Sequence, residues 1–183
     1  CAVPGAWHVM GVTQAAGYSL AWFQENIGTE YARKAKEQGC GAFDLINADV
    51  QKTPIGANRL IYLPYLNGER TPHVDPNCRG VFFGLSSMHT TADMARAVME
   101  GIQYSLTDCN DIIKEMGIEV SEMMACGGGA KNAVQRQMMA DMFGCDVKTV
   151  TATEGPALGV AILAGVGAGL YESVESACRQ MIH

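Results

Sequence analysis

Met123-Met124-Ala125-Cys126-Gly127-Gly128-Gly129-Ala130-Lys131-Asn132 joins an apolar stretch that reads as a strand (Met123–Cys126) to one that reads as a helix (Ala133–Phe143). Asp146–Val150 then reads as a strand and Ala157–Ala164 as a helix. Strand, helix, strand, helix in that order implies an α/β layer, with ligands expected at the carboxyl ends of the strands. Three glycines in the first strand-to-helix turn let a ligand approach the backbone closely. Free amides at the helix start favour the negative charge of a phosphate. Two readings of the run stand side by side: a nucleotide site, and a tight turn packed against a neighbouring element.

The run narrows the nucleotide reading by what it lacks. No Gly-x-x-x-x-Gly-Lys-Ser/Thr is present, so it is not a P-loop. The dinucleotide fingerprint Gly-x-Gly-x-x-Gly aligns at Gly127 and Gly129, but its sixth position is Asn132. That residue removes the glycine needed for close helix–strand packing. An amide at the helix start suits hydrogen bonding to a base or ribose better.

Composition excludes several classes. With 48% hydrophobic and 17% charged residues, the 183-residue chain suits one globular domain with a real core. A formal charge of −6 and scattered Lys and Arg argue against a nucleic-acid surface. The seven cysteines make no Cys-x-x-Cys and no scaffold spacing, which reads as reduced thiols, mostly small apolar filler, in a cytoplasmic protein. The four histidines make no His-Glu-x-x-His, so a metal site has little support. Gly155 to Tyr171 carries no charge, yet it is short for a bilayer helix and rich in Gly and Ala. It reads as a buried helix whose small side chains allow close approach to a sheet, and no membrane partner is expected. The chain opens on Cys1 and stops inside a helical pattern, Glu172–Ile182, so it reads as an excerpt of a longer protein.

Elsewhere Thr13 is expected to cap a helix running to Ile27, with Ala16, Leu20, Phe23 and Ile27 on one face. Thr29 is expected to cap a second helix through Gln38, ended by Gly39. Arg59–Pro64 begins as a strand and runs into a loop, Asn67 to Pro76, whose prolines forbid regular structure. Thr91 starts the longest helix, to about Met116, with Ala95, Val98, Ile102, Leu106 and Ile113 near one stripe and Gly117 just past its end.

The segment Gly80-Val81-Phe82-Phe83-Gly84-Leu85, seven residues, then Asp93-Met94-Ala95-Arg96-Ala97-Val98-Met99-Glu100 resembles the second signature of the FGGY carbohydrate kinases, with every constrained position met. Upstream, Tyr62-Leu63-Pro64-Tyr65-Leu66-Asn67-Gly68-Glu69-Arg70-Thr71-Pro72-His73 resembles the xylulokinase branch. Gly127–Asn132 and Glu154-Gly155-Pro156-Ala157-Leu158-Gly159 fall where those kinases carry similar motifs. The resemblance runs from Pro4 to about Ser173.

It implies an actin-like, ribonuclease-H-like α/β fold, of which residues 1–183 would be most of the second kinase domain. It further implies transfer of the γ-phosphoryl of MgATP to a sugar hydroxyl, that of D-xylulose in this branch, with gluconate, glycerol, ribulose or fuculose as alternatives. The sugar pocket, the catalytic aspartate and the Mg2+ ligands would lie in a first domain with no match here, so no catalytic residue is nominated and the fragment is expected to be inactive. The sugar and ATP are the implied partners, and a homodimer of the full-length enzyme is compatible with the resemblance. The resemblance carries over four nucleotide contacts: Gly17 at a helix start, where ordinary helix packing is an equal reading, Gly128 for the turn, Gly129 whose backbone approaches the phosphates or ribose, and Asn132 facing the adenine.

Glu69-Arg70-Thr71 admits two readings, an active-site cluster and a loop-anchoring ion pair. Asp93 and Glu100 are read as structural, Asp93 at the start of the long helix where negative charge is favourable. Two rival classes remain at this point: a dehydrogenase, which would want the glycine turn after its first strand, and a non-catalytic module of the actin-like superfamily.

Overall fold

The computed structural model describes residues 3–150 and 155–182. In chain order the elements are α1 (Ala16–Asn26), α2 (Thr29–Gln38), α3 (Ala42–Lys52), β1 (Ile61–Leu63), β2 (Val81–Phe83), α4 (Thr91–Glu115), β3 (Glu122–Ala125), α5 (Ala133–Phe143), β4 (Asp146–Thr149), α6 (Gly155–Gly167) and α7 (Val174–Met181). Cys1, Glu154 and His183, which figured in the sequence reading, lie outside the described residues.

The core forms around α4 because that helix is both well started and apolar along one stripe. Thr90 Oγ1 accepts from the Asp93 N–H, and the Asp93 carboxylate accepts from the Thr90 N–H at 2.7 Å. This reciprocal cap satisfies donors that the first turn would otherwise leave bare. Thr90 Oγ1 also donates to the Asp93 carboxylate at 2.7 Å, and Asn58 Nδ2 adds a third donor at 2.7 Å. Burial alone would raise the Asp93 carboxyl, but these hydrogen bonds, with His89 nearby, hold it below the usual carboxylate range. Ala95, Val98, Met99 and Ile102 then meet Phe23 of α1, Ile46 and Val50 of α3, and Leu60 and Tyr62 at β1. Gly117, with φ +80°, ends the helix as anticipated.

Two small sheets flank this core. β1 and β2 pair antiparallel, Ile61 opposite Phe83 and Leu63 opposite Val81, with Tyr62 turned inward against α4. β3 and β4 pair parallel, from Glu122 opposite Asp146 to Ala125 opposite Thr149. α5 makes the crossover that a parallel pair requires. The α/β layer expected from the order of elements is therefore present as a β3–α5–β4 unit.

Arg96 and Glu100 bear out a structural role for the signature. Arg96 Nε donates to Glu100 Oε1 at 2.7 Å, and its Nη1 donates to the carbonyls of Val50 and Thr53 at 2.9 Å each. Glu100 also accepts from the Gly56 N–H at 3.0 Å. The pair is buried and sews α3 and the following turn to α4.

Several expectations are corrected. Thr13 caps nothing: α1 begins at Ala16 after Ala15, and the preceding segment is instead tied by backbone and side-chain bonds between Val12 and Thr71. Thr29 is the first residue inside α2, with Gly28 before it. α3 and β2 were not foreseen as elements. The α6 segment is not a buried helix. Within it only Ile162 and Gly165 are buried, Val160 is 67% exposed, and its packing partner is α7 rather than a sheet. Small side chains give such a helix little area with which to hold a second partner. Among the described residues no helix is long and apolar enough to cross a membrane.

Glu69 anchors its loop, as one of the two readings has it, but through hydrogen bonds and not an ion pair. It is 4% exposed, and among the described residues it makes no salt bridge with Arg70. Its Oε1 accepts from the N–H groups of Gln14 and Arg70 at 2.7 Å each, and its Oε2 from Ser105 Oγ at 3.3 Å. Glu69 thus pins the entry to α1, the proline-rich loop and α4 together. The filler reading of the cysteines holds for buried Cys109, whereas Cys40 and Cys126 are exposed.

Candidate functional site

Because β3 and β4 run parallel, their carboxyl ends, Ala125 and Thr149, open onto one edge. The chain leaving β3 must reverse sharply there to enter α5. Gly127 makes that reversal with φ +80°, a left-handed conformation that residues with a β-carbon seldom adopt. A 3₁₀ turn, Gly129–Lys131, follows. In it the N–H groups of Ala130, Lys131 and Asn132 donate to the carbonyls of Gly127, Gly128 and Gly129 at 3.2, 3.3 and 3.3 Å. The turn therefore consumes its own later amides. Among the described residues the N–H groups of Gly127, Gly128 and Gly129 have no partner, and these are the donors left for a ligand.

Two side chains hold the turn in shape. Asn132 is the N-cap of α5: its Oδ1 accepts from the Val134 N–H at 2.9 Å. Its Nδ2 donates to Asn47 Oδ1 on α3 at 2.5 Å. Arg136, in the first turns of α5, donates from Nη1 to the Ala130 carbonyl at 2.6 Å.

A cleft of about 200 Å3 lies against this turn. Ala125, Cys126 and Gly127 line it from β3, and Thr149 and Val150 from β4. Ala130, Lys131 and Arg136 complete it, so among the described residues the lining carries two cations and no carboxylate. Ligand pockets usually measure about 300–1,000 Å3, so this cleft has room for part of a nucleotide. Among the described residues no three His, Cys, Asp or Glu side chains gather to hold a metal ion. Lys148 on β4 reaches Glu122, the first residue of β3; its hydrogen bond lowers the Glu122 carboxyl and raises the Lys148 ammonium.

The four residues singled out from sequence are distributed unevenly. Gly128, Gly129 and Asn132 belong to the turn that borders the cleft, while the glycine that lines it is Gly127. Gly17 is elsewhere, near the start of α1, which packs on α4 and α2. A β-carbon at Gly17 or Gly128 would touch nothing within 4 Å, whereas one at Gly129 would meet Gln135 Oε1 at 2.9 Å. Sequence reasoning passed over Lys131, Arg136 and Thr149. Lys131 was inside the run itself, and Arg136 stands one helical turn beyond Asn132.

Known proteins place this geometry. Residues 2–168 match the profile of the FGGY family of carbohydrate kinases, C-terminal domain. The xylulose kinase of Staphylococcus epidermidis is 43% identical over 98% of this chain, and the match covers 34% of that protein. The xylulose kinase of Bacillus subtilis is 41% identical over 97% of the chain and 34% of its own length. A ligand-bound xylulose kinase from Lactobacillus acidophilus superposes with a TM-score of 0.77 at 29% identity, covering 93% of this chain and 33% of that one. The chain thus spans about a third of the length of these relatives. A glycine turn at the carboxyl edge of a parallel β-α-β unit, the intact signature along α4 and a match over most of the sequence agree: the chain belongs to the FGGY family of carbohydrate kinases, in its C-terminal domain.

Proposed function

We propose that this chain is the nucleotide-holding part of an ATP-dependent sugar kinase whose acceptor is D-xylulose. The observation that carries the reading is the cleft at the ends of β3 and β4, with two cations and three glycine amides that have no partner among the described residues, in a chain so similar to xylulose kinases. Residues 1–183 would form one domain, completed as an enzyme by a sugar-binding domain supplied from the rest of the protein.

In this reading Gly128 and Gly129 let the nucleotide approach the turn, and Asn132 holds that turn while facing the base. Gly17 is assigned a contact from α1, supported by the open space over its Cα. Phosphoryl transfer rests on positioning and charge stabilisation, which is the work this chain's residues would do. When bound, MgATP supplies the transferable phosphoryl and a metal charge that offsets charge on the phosphates. The carboxylate that accepts the sugar proton and the ligands of Mg2+ are assigned to the other domain.

The test is an acceptor panel on the full-length protein. D-xylulose should give ADP release with the highest kcat/KM among D-xylulose, gluconate, glycerol, ribulose and fuculose. A higher kcat/KM for another acceptor overturns the substrate. The pure 183-residue chain should bind ATP weakly and release no ADP with D-xylulose, and measurable release would overturn the half-site reading.

A further inference from the structure

We propose that Arg136 and Lys131 form an anion subsite in the cleft and take a phosphate group of the bound nucleotide; this rests on the nucleotide reading above. The chain as a whole is acidic, with a formal charge of −6, yet among the described residues this cleft is lined by two cations and no carboxylate. Among the described residues neither cation is neutralised by an ion pair, in contrast to Arg33, Arg96 and Lys148. Cations kept from carboxylates at the mouth of a parallel strand pair are suited to an anionic ligand.

The two side chains are unequal. Arg136 spends one of its five N–H donors on the Ala130 carbonyl at 2.6 Å. That bond fixes the guanidinium beside the 3₁₀ turn, so little side-chain freedom is lost when the remaining donors meet a phosphate. Arginine offers a planar fork that matches two phosphate oxygens, whereas Lys131 acts as a mobile point charge. Arg136 therefore carries the geometry and Lys131 adds charge. The amides of Gly127, Gly128 and Gly129, without a partner among the described residues, supply further donors in the same turn.

The experiment is calorimetric titration of the full-length protein with MgATP, ADP, adenosine and inorganic phosphate. Arg136→Gln should weaken MgATP and ADP roughly tenfold, as expected for one lost charge-assisted hydrogen bond, and leave adenosine unchanged. Arg136→Lys should recover part of the loss, and the salt dependence of ATP binding should flatten in Arg136→Gln. Lys131→Gln, which breaks no bond within the turn, should show the same pattern at a few-fold and keeps the test open if Arg136→Gln does not fold. Equal weakening of adenosine, or no change in either variant, overturns the subsite. If the wild type binds no adenine nucleotide but binds inorganic phosphate through Arg136, the nucleotide assignment falls and the anion subsite stands. If ATP binds and both variants bind it normally, the subsite falls and the nucleotide reading stands.

Discussion

Gly101 on α4 sits so close to the carbonyl of Tyr62 on β1 that a β-carbon there would overlap the oxygen. Helix and strand meet backbone to backbone, which buries Tyr62 and lets its ring stack at a tilt on Phe82, 4.8 Å between centroids. Gly101→Ala should force the two apart and cost about 3 kcal/mol, the upper range for overpacking a filled core. Urea unfolding should show a lower midpoint with an unchanged slope.

The Arg96–Glu100 pair makes a second prediction. Arg96→Met leaves a buried carboxylate without its partner and strips donors from the Val50 and Thr53 carbonyls. Loss of about 3–5 kcal/mol is expected. Glu100→Gln in the same background should recover part of it, and a double-mutant cycle measures the coupling.

Asp93 sets an acid limit. Its carboxyl is held below the value it has in an unfolded chain, so its stabilising contribution is fully present above the unfolded pKa, about 3.9. The contribution is lost as pH falls through the folded value. Asp93→Asn should cost about 1 kcal/mol at neutral pH, as for other lost caps, and should flatten the decline in melting temperature below about pH 4.

Gly17 and Gly128 separate fold from ligand. Neither has a positive φ, and neither has a neighbour that a methyl group would strike. In Gly17→Ala the apo full-length protein should gain about 0.5–1 kcal/mol, since alanine suits a helix better. Gly128→Ala should be neutral to slightly stabilising. If nucleotide approaches these positions, KM for ATP rises in both variants while KM for the sugar stays fixed. An unchanged KM for ATP removes that residue from the site.

What sequence made legible was whatever rests on local chemistry. The long helix was readable because Thr91, Asp93, its apolar stripe and Gly117 all agree. The β3–α5–β4 order was readable because the glycine turn stands between two clear periodicities. α3 escaped because Asp44, Asn47 and Asp49 dilute its helical pattern, and its start is fixed by a Gly41 N–H bond to Asp44 rather than by a serine or threonine. Thr13 misled because Val12 and Gln14 are bonded to Thr71 and Glu69, 59 and 55 residues away. The role of Glu69 was hidden for the same reason: two of its partners, Gln14 and Ser105, are distant in sequence. At the site, the glycines advertised the turn, but the direction of the Arg136 side chain depends on the turn's closure onto Ala130, which no spacing rule expresses.

The bond from Asn132 to Asn47 gives α3 a part in whatever happens at the cleft. It links the glycine turn to a helix that is itself sewn to α4 through Arg96. A ligand that stiffens the turn should therefore slow amide hydrogen exchange along Ala42–Lys52, well away from any contact of its own. Asn47→Ala should sever that connection and leave the exchange of α3 indifferent to the nucleotide. The helix least visible in the sequence becomes a remote gauge of an occupied site.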